Sequence, residues 1–475
     1  MDEHVITDKR KQIMLIALVS LVSFMITLDY TSLNISLPSI AQYFGVKVGL
    51  VAWLPTIYLL IITSSLLGFG KLGDNIGYKK VFMLGVGIFG TGAVLCAISP
   101  NFTSLFISRA FQSIGQAMYS PICIALLTYY LPAGIKGRAL GIYATMQGMG
   151  LAAGPAVGGL MISMFNWRAN FMMAIPLCIL ILLLGLKYIP SRQSAAADNR
   201  FDYVGAVLLF LGLAGFIYAI NTVARAGLTD PIVLLSIAVA GLGFALFVLQ
   251  EKKVAYPLLD FKLFSNLNFT FASLAALFGL AMYIGMVFLL PFFLQMMLHF
   301  KVAQAGLIMM TPSLMMMILA PFTGSLSDLI GSRRLCMGGM ALATLAFVMI
   351  SFISPQTSII FLISVLICLG VGMGCFMAPN NRLIMQNAPA DKQGVASGVY
   401  KIALNAGSSI GIALYMLVMS YVVIFDVSRM HILLNEVRQH PDIMLAGFRG
   451  AFMFGISLAV CAFVFSYLAK DKAAA

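Results

Sequence analysis

What most constrains this chain is a succession of apolar runs, each 18 residues or longer, recurring from one end of its 475 residues to the other. Each run is long enough to cross roughly 30 Å of hydrocarbon as an α-helix. A bilayer offers no water to satisfy backbone N–H and C=O groups, so a spanning segment is either a helix or a strand of a closed barrel. Barrel strands alternate apolar and polar side chains, and these runs do not, which leaves helices. Composition agrees: 61% of residues are hydrophobic and 9% charged, too little polar surface to cover a water-soluble globule.

The runs predict fourteen spans, near residues 13–37, 50–70, 81–98, 102–124, 139–162, 170–189, 203–221, 231–249, 269–294, 306–326, 335–353, 359–379, 395–420 and 448–469. The first follows Lys9, Arg10 and Lys11 in the manner of a signal peptide, but it is too long for one and lacks a small-residue cleavage site. Alternating the intervening segments between the two sides puts Lys47, Arg168, Arg225, Lys301, Arg429, Arg438 and Arg449 outside. Arg109 and Lys401 fall within spans, and the other twenty of the 29 basic residues lie inside. By the positive-inside rule both termini then face the cytoplasm, in a multi-pass protein of the inner or plasma membrane.

The polar stretch Ser191–Asp202 is the clearest linker and follows the sixth span. Gly70, Asp74, Gly77, Lys79 and Lys80 follow the second span, and Gly324, Asp328, Gly331, Arg333 and Arg334 follow the tenth with the same spacings, at a constant offset of 254. Five matches in equivalent inner loops argue for duplicated halves. The expected architecture is an all-α integral membrane protein. Its two six-helix bundles cover residues 1–190 and 266–475, and residues 191–265 supply the linker and an inserted pair of transmembrane helices. The loop near 421–447 mixes apolar and charged residues and is expected outside, on the membrane surface.

The net charge of +13 does not point to nucleic acid, because the basic residues are scattered between spans rather than gathered in a stripe. Seven cysteines (96, 123, 178, 336, 368, 375, 461) lie within apolar segments without ligand spacing, and read as small buried hydrophobes. No spaced His, Cys or acidic cluster suggests a metal or catalysis, and no phosphate-binding loop suggests ATP use. The chain is expected to be neither an enzyme nor a cofactor protein.

Asp29 is the only one of 16 acidic residues well inside an apolar run, where an ionisable side chain is costly and functional by default. It lies nine residues before Pro38, about 13 Å down the helix, and Arg109 lies seven residues into the fourth span, about 10 Å down. The two meet at similar depth, either as a static pair that fixes packing or as a group whose proton affinity changes with access. Gly150, Gly154 and Gly158 recur every four residues and make a smooth face on the fifth span, which Pro155 can bend. Lys401, about 9 Å into the thirteenth span, either serves an anionic substrate group or reaches the interface. The tenth span holds Met309, Met310, Met315, Met316 and Met317, a soft wall for a substrate of variable shape or simple packing. Candidate lining residues of a substrate cavity are Asn34, Gln112, Met309, Met310, Lys401 and Asn405. Asn380, Asn381 and Arg382, at the inner end of the twelfth span, read as interfacial anchors.

Four ordered motifs give the chain a resemblance that covers nearly its whole length. Leu28-Asp29-Tyr30-Thr31-Ser32-Leu33-Asn34-Ile35-Ser36-Leu37-Pro38 closes the first span, and Gly70-Lys71-Leu72-Gly73-Asp74-Asn75-Ile76-Gly77-Tyr78-Lys79-Lys80 follows the second. Arg109 with Gln112 and Gly115 stands in the fourth, and Gly150 with Gly154-Pro155 and Gly158-Gly159 in the fifth. Together they resemble the major facilitator superfamily, and specifically its fourteen-span drug:proton antiporters. The resemblance implies proton coupling through Asp29 and Arg109, and a seal of the cavity by the face of Gly150, Gly154, Pro155, Gly158 and Gly159. It also implies a conformational latch in the loop of Gly70, Asp74, Gly77, Lys79 and Lys80 and its repeat at Asp328, Arg333 and Arg334. Asp74 can cap a neighbouring helix in such a latch, though a merely solvated turn would look the same.

The implied partners are a small lipophilic substrate, protons and membrane lipids, and the implied state is a monomer. Asn75 stands where the family has a basic residue, and Leu404 where a basic residue is more usual than at Lys401. The tenth span has no acid before Asp328, which argues against dicationic drugs.

The function these readings favour is proton-driven export of a lipophilic or amphiphilic small molecule. Proton-coupled uptake of a nutrient, or export or flipping of an endogenous lipid or metabolite, are the alternatives.

Overall fold

The computed structural model describes residues 6–190, 202–227, 229–254, 261–389, 393–422 and 441–471. No strand occurs among them. The helices are α1 (Lys9–Phe44), α2 (Val48–Val51), α3 (Trp53–Ile76), α4 (Tyr78–Ala97), α5 (Phe102–Tyr130), α6 (Ala133–Met164), α7 (Ala169–Met172) and α8 (Ala174–Tyr188). They continue as α9 (Tyr203–Ala226), α10 (Pro231–Lys253), α11 (Leu267–Phe292), α12 (Val302–Ile330), α13 (Ser332–Ile350), α14 (Ile359–Asn387), α15 (Gln393–Val422) and α16 (Pro441–Leu468). One turn of π-helix, Phe293–Met297, extends α11.

Among the described residues twelve helical stretches are long and apolar enough to cross a membrane. Two further long helices fall short of that measure: α6, whose 32 residues include eight glycines, and α9, whose apolar stretch is Val204–Ile220. Large apolar side chains such as Leu183, Leu235, Leu242 and Ile360 are more than 60% exposed, as a lipid-facing surface requires. All seven cysteines are free, but only Cys96, Cys123, Cys178 and Cys336 are buried. Cys368, Cys375 and Cys461 are half-buried instead, a correction to the expectation of seven interior positions.

Caps rather than apolarity set several helix ends. The Asp8 carboxylate accepts from the Arg10 amide at 2.9 Å to start α1, and Gly45, at φ 62°, stops it well beyond the apolar run. α16 begins at Pro441, so residues 441–447 belong to a helix rather than to the expected loop, and residues 423–440 of that loop lie outside the described residues.

The duplicated motifs form the same joint twice. Gly77 between α3 and α4 has φ 98° and ψ 135°, and Gly331 between α12 and α13 has φ 90° and ψ 144°. Such backbone is open to glycine and strained for other residues. In the first half α1 packs on α6, and α5 on both α3 and α4; in the second, α14 packs on α12 and α13, and α11 on α15 and α16.

The Ile6 amide donates to the Tyr130 carbonyl at 2.9 Å, which sets the start of α1 beside the end of α5. The Asp471 carboxylate accepts from the Ser332 amide at 3.1 Å, which sets the end of α16 beside the start of α13. α12 packs antiparallel along α6, so Ile6 and Asp471, the first and last described residues, lie at one end of the molecule. At the opposite end Leu33, Leu37 and Ile40 of α1 share one apolar core with Leu280, Phe288 and Phe293 of the second half. Toward the termini each half keeps its own core, around Leu18, Phe82 and Tyr130 in one and Phe269, Leu383 and Ala396 in the other.

The seam between α6 and α12 follows the same gradient. Gly159 and Gly306 are packed against each other's backbones, whereas a methyl group added at Gly134, Gly137, Gly141 or Gly324 would meet nothing within 4 Å. The halves are thus closed on each other away from the termini and part toward them. α9 rests against both α3 and α15, with Leu209, Leu213 and Ile217 meeting Leu60, Ala406 and Ala413, and α10 packs on α9.

Candidate functional site

The interior of the first half is organised around one ion pair. The Arg109 Nη1 of α5 donates to Asp29 Oδ2 of α1 at 2.8 Å and to Gln112 Oε1 at 2.7 Å. The Gln112 amide in turn donates to Asp29 Oδ1 at 3.4 Å. The Arg109 guanidinium lies over the Tyr58 ring of α3 at 4.0 Å and 5.8 Å from the Phe171 ring, and Tyr30 stacks on Tyr58 at 6.1 Å. Arg109 and Gln112 are fully buried, and Asp29 is 4% exposed. Arg109 and Gln112 share a face of α5 because they stand three residues apart. That face reaches the core because Gly115 and Gly92 let α4 and α5 approach backbone to backbone. Two donors of Arg109, Nε and Nη2, have no hydrogen-bond partner, nor does the Tyr30 hydroxyl.

A second feature was missed by sequence reasoning. Ser23, Thr27 and Thr31 repeat every four residues along α1; Ser23 and Thr27 donate their hydroxyls to the Tyr143 and Gln147 carbonyls of α6 at 3.1 and 3.0 Å, and Thr31, which donates to the Thr27 carbonyl at 2.6 Å, lies 3.3 Å from that of Gly150. Gly150, Gly154 and Gly158 supply the opposite surface, lying against Thr27, Thr31 and Ser32. This face therefore packs inside the first half. Gly159 and the Pro155 carbonyl look the other way and meet Gly306 of α12 across the seam. The signal that would have found the partner is the four-residue hydroxyl spacing on α1 itself.

The repeated loops are placed symmetrically at the end that carries the termini. Lys79 donates to the Leu186 carbonyl at 2.7 Å, Arg333 lies over the Tyr467 ring at 4.8 Å, and Lys80 and Arg334 are exposed. Gly70 meets Pro121. The side chains of Asp74 and Asp328 lie outside the described residues.

The six candidate lining residues do not gather in one place. Asn34 is buried in α1, near the Tyr30 carbonyl at 3.5 Å, Gln112 belongs to the ion-pair cluster, and Met309 is buried in the core that closes the far end. Met310, Lys401 and Asn405 are half-buried. Asn380 is only 1% exposed, which corrects its reading as an interfacial anchor, while Asn381 is exposed and Arg382 donates to Ser327 at 2.9 Å. Among the described residues no group of three His, Cys, Asp or Glu side chains is placed to hold a metal ion.

Two repeated helical halves joined at one end and parted at the other, with charge buried between helices, define a membrane transporter rather than a channel-less bundle. The chain belongs to the Major Facilitator Superfamily, whose profile matches residues 19–412. It is 32% identical to the riboflavin transporter RibZ of Clostridioides difficile (strain 630), over 86% of this chain and 88% of that protein. It is 29% identical to the multidrug resistance protein Stp of Mycobacterium tuberculosis (strain CDC 1551 / Oshkosh), over 85% of this chain and 75% of that one. Among solved structures, a bacterial homologue of the human lysosomal transporter Spinster superposes with a TM-score of 0.69 over 97% of both chains at 16% identity, a likeness of fold.

Proposed function

We propose that this protein is a proton-coupled antiporter of the fourteen-span drug:proton type, exporting a lipophilic or amphiphilic small molecule by alternating access. The observation that carries this reading is the buried Asp29–Arg109–Gln112 cluster and its mechanical connections. Asp29 lies on α1, which is tied by hydroxyls to α6, and α6 closes on α12 at the seam between the halves. A proton arriving on Asp29 releases Arg109, frees α1 from α5 and so biases the seam, which is how a local charge change becomes a global one. The relative named for multidrug resistance supports the substrate class.

In this reading α6 and α9 complete the fourteen spans. Residues 1–190 and 266–475 form the two bundles, 191–265 bring the inserted pair, and both termini are cytoplasmic in the inner membrane. The loop at Gly70, Asp74, Gly77, Lys79 and Lys80, with its repeat at Asp328, Arg333 and Arg334, latches the halves. Gly159 and Pro155 seal the far end, the protein works as a monomer, and the substrate passes Gln112, Lys401 and Asn405.

Transport of riboflavin is the second reading, favoured by the relative named for it. Proteoliposomes with an acidic lumen test both. Uptake of lipophilic dyes against their gradient, in exchange for outgoing protons, is the expected result. Riboflavin moved alone supports the second reading, and no movement of any compound contradicts both.

A further inference from the structure

The three faces of α15 have different neighbours. Gly407 and Gly411 lie against Leu277 and Ala281 of α11, and Ile402, Ala406, Ile410 and Ala413 belong to the core around α9. The remaining face carries Ser397, Lys401, Asn405 and Ser408, spaced four, four and three residues apart, so that they stand in one row. Ser408 turns its hydroxyl back to the Leu404 carbonyl at 2.8 Å. Lys401 has no ion pair, hydrogen bond or aromatic ring as a partner among the described residues. Its electrostatic neighbour is the Cys123 thiol of α5, across the gap between the halves. Asp29, the carboxylate buried beside the halves' interior, is already held by Arg109, whose Nε and Nη2 remain without partners among the described residues.

Among the described residues the opening between the halves therefore presents an uncommitted cation on one wall and no uncommitted anion facing it. An ammonium so placed costs desolvation that nothing in the protein offsets, whereas an anion in the gap would receive a charge-assisted hydrogen bond from it. We propose that Lys401 is the specificity-determining residue for an anionic group on the transported amphiphile, such as a carboxylate, sulfonate or phosphate. This rests on the transport reading above and narrows its substrate class from lipophilic compounds at large to anionic ones.

The test uses two naphthyl probes of equal size, one bearing a sulfonate and one a trimethylammonium, together with uncharged naphthalene methanol. Binding of each is titrated against the purified full-length protein in neutral phosphatidylcholine vesicles, as wild type, Lys401→Gln and Lys401→Arg. Wild type is expected to bind the sulfonate about tenfold or more tighter than the ammonium, a preference of the size one charge-assisted hydrogen bond gives. Lys401→Gln removes that preference and Lys401→Arg keeps it. Removing an unpaired cation relieves desolvation, so the Gln variant folds, and its binding of the neutral probe reports this directly.

Adding phosphatidylglycerol separates two sources of the anion. Competition with the sulfonate in wild type but not in Lys401→Gln assigns a lipid phosphate, and its absence assigns a soluble organic anion. A wild type that prefers the ammonium, or a Gln variant with unchanged sulfonate affinity, overturns the inference. Proton-driven flux of the neutral probe is read in parallel. Its presence without any charge preference leaves the antiporter standing and removes only the role of Lys401.

Discussion

Arg109 and Asp29 are two ions taken out of water together, at several kcal/mol of desolvation per ion, and their attraction repays this only when geometry and remaining hydrogen bonds are good. The geometry is good at 2.8 Å, but Nε and Nη2 of Arg109 find no acceptor and the guanidinium leans on the Tyr58 face instead. Such a cluster holds firmly while leaving room to reorganise. Arg109→Gln strands the carboxylate and is expected to lower stability by about 3–5 kcal/mol, and adding Asp29→Asn restores most of it. Thermal unfolding of the purified variants in detergent reads both, and a single variant as stable as the parent would show that the pair holds nothing. The pair was legible in the sequence because a charge inside an apolar run is rare and helical rise alone matches the two depths. Tyr58 was not legible, because a tyrosine in such a run is ordinary and its place under Arg109 depends on how α3 crosses α5. Asn380 was misread for a related reason: nearness to a span end says nothing about which way a side chain turns.

Helix α6 shows what glycine does at the scale of an element. A methyl group at Gly158 would meet the Cβ of Ser32 at 2.7 Å and its Cα at 3.0 Å, and a backbone atom cannot swing aside. Gly158→Ala is therefore expected to push α1 off α6 and cost about 1–3 kcal/mol, the usual penalty of overpacking. Gly141→Ala, two turns from the nearest packed glycine in an open stretch, is expected to be neutral or to stabilise by up to about 1 kcal/mol through helix propensity. Melting temperatures of the two variants compare them directly, and equal shifts would contradict the packing described here. The glycine face itself was plain in the sequence, but its partner was not. Gly150, Gly154 and Gly158 serve α1 within their own half, and the contact across the seam falls to Gly159 and Pro155, because side chains one position apart point about 100° apart on a helix. The start of α16 at Pro441 was missed because Pro441, Asp442 and Arg449 read as loop, although Ile443, Met444 and Leu445 between them are apolar and join the core.

At the scale of the whole molecule the repeated joints at Gly77 and Gly331 make two halves alike, and alternating access requires the halves to exchange which end is closed. In this arrangement the far end is closed by the packing of Gly159 on Gly306 and by Gln295 donating to the Ile35 carbonyl at 3.2 Å, all of which must part for the opposite state. The 254-residue offset made this two-fold plan legible, since a duplicated motif repeats a duplicated fold. The position of α9 against both α3 and α15 was not, because hydropathy says that a segment crosses and is silent on what it crosses beside. The central claim is that protons reach the transport cycle through Asp29, and uphill transport by the Asp29→Asn variant tests it most directly. Asparagine keeps the size and hydrogen-bonding capacity of the side chain and removes its titration. In proteoliposomes with an acidic lumen, the wild type is expected to concentrate a lipophilic probe and the variant to bind the probe without concentrating it. Undiminished uphill uptake by the variant would contradict the account, since the protons would then travel by another route or not at all.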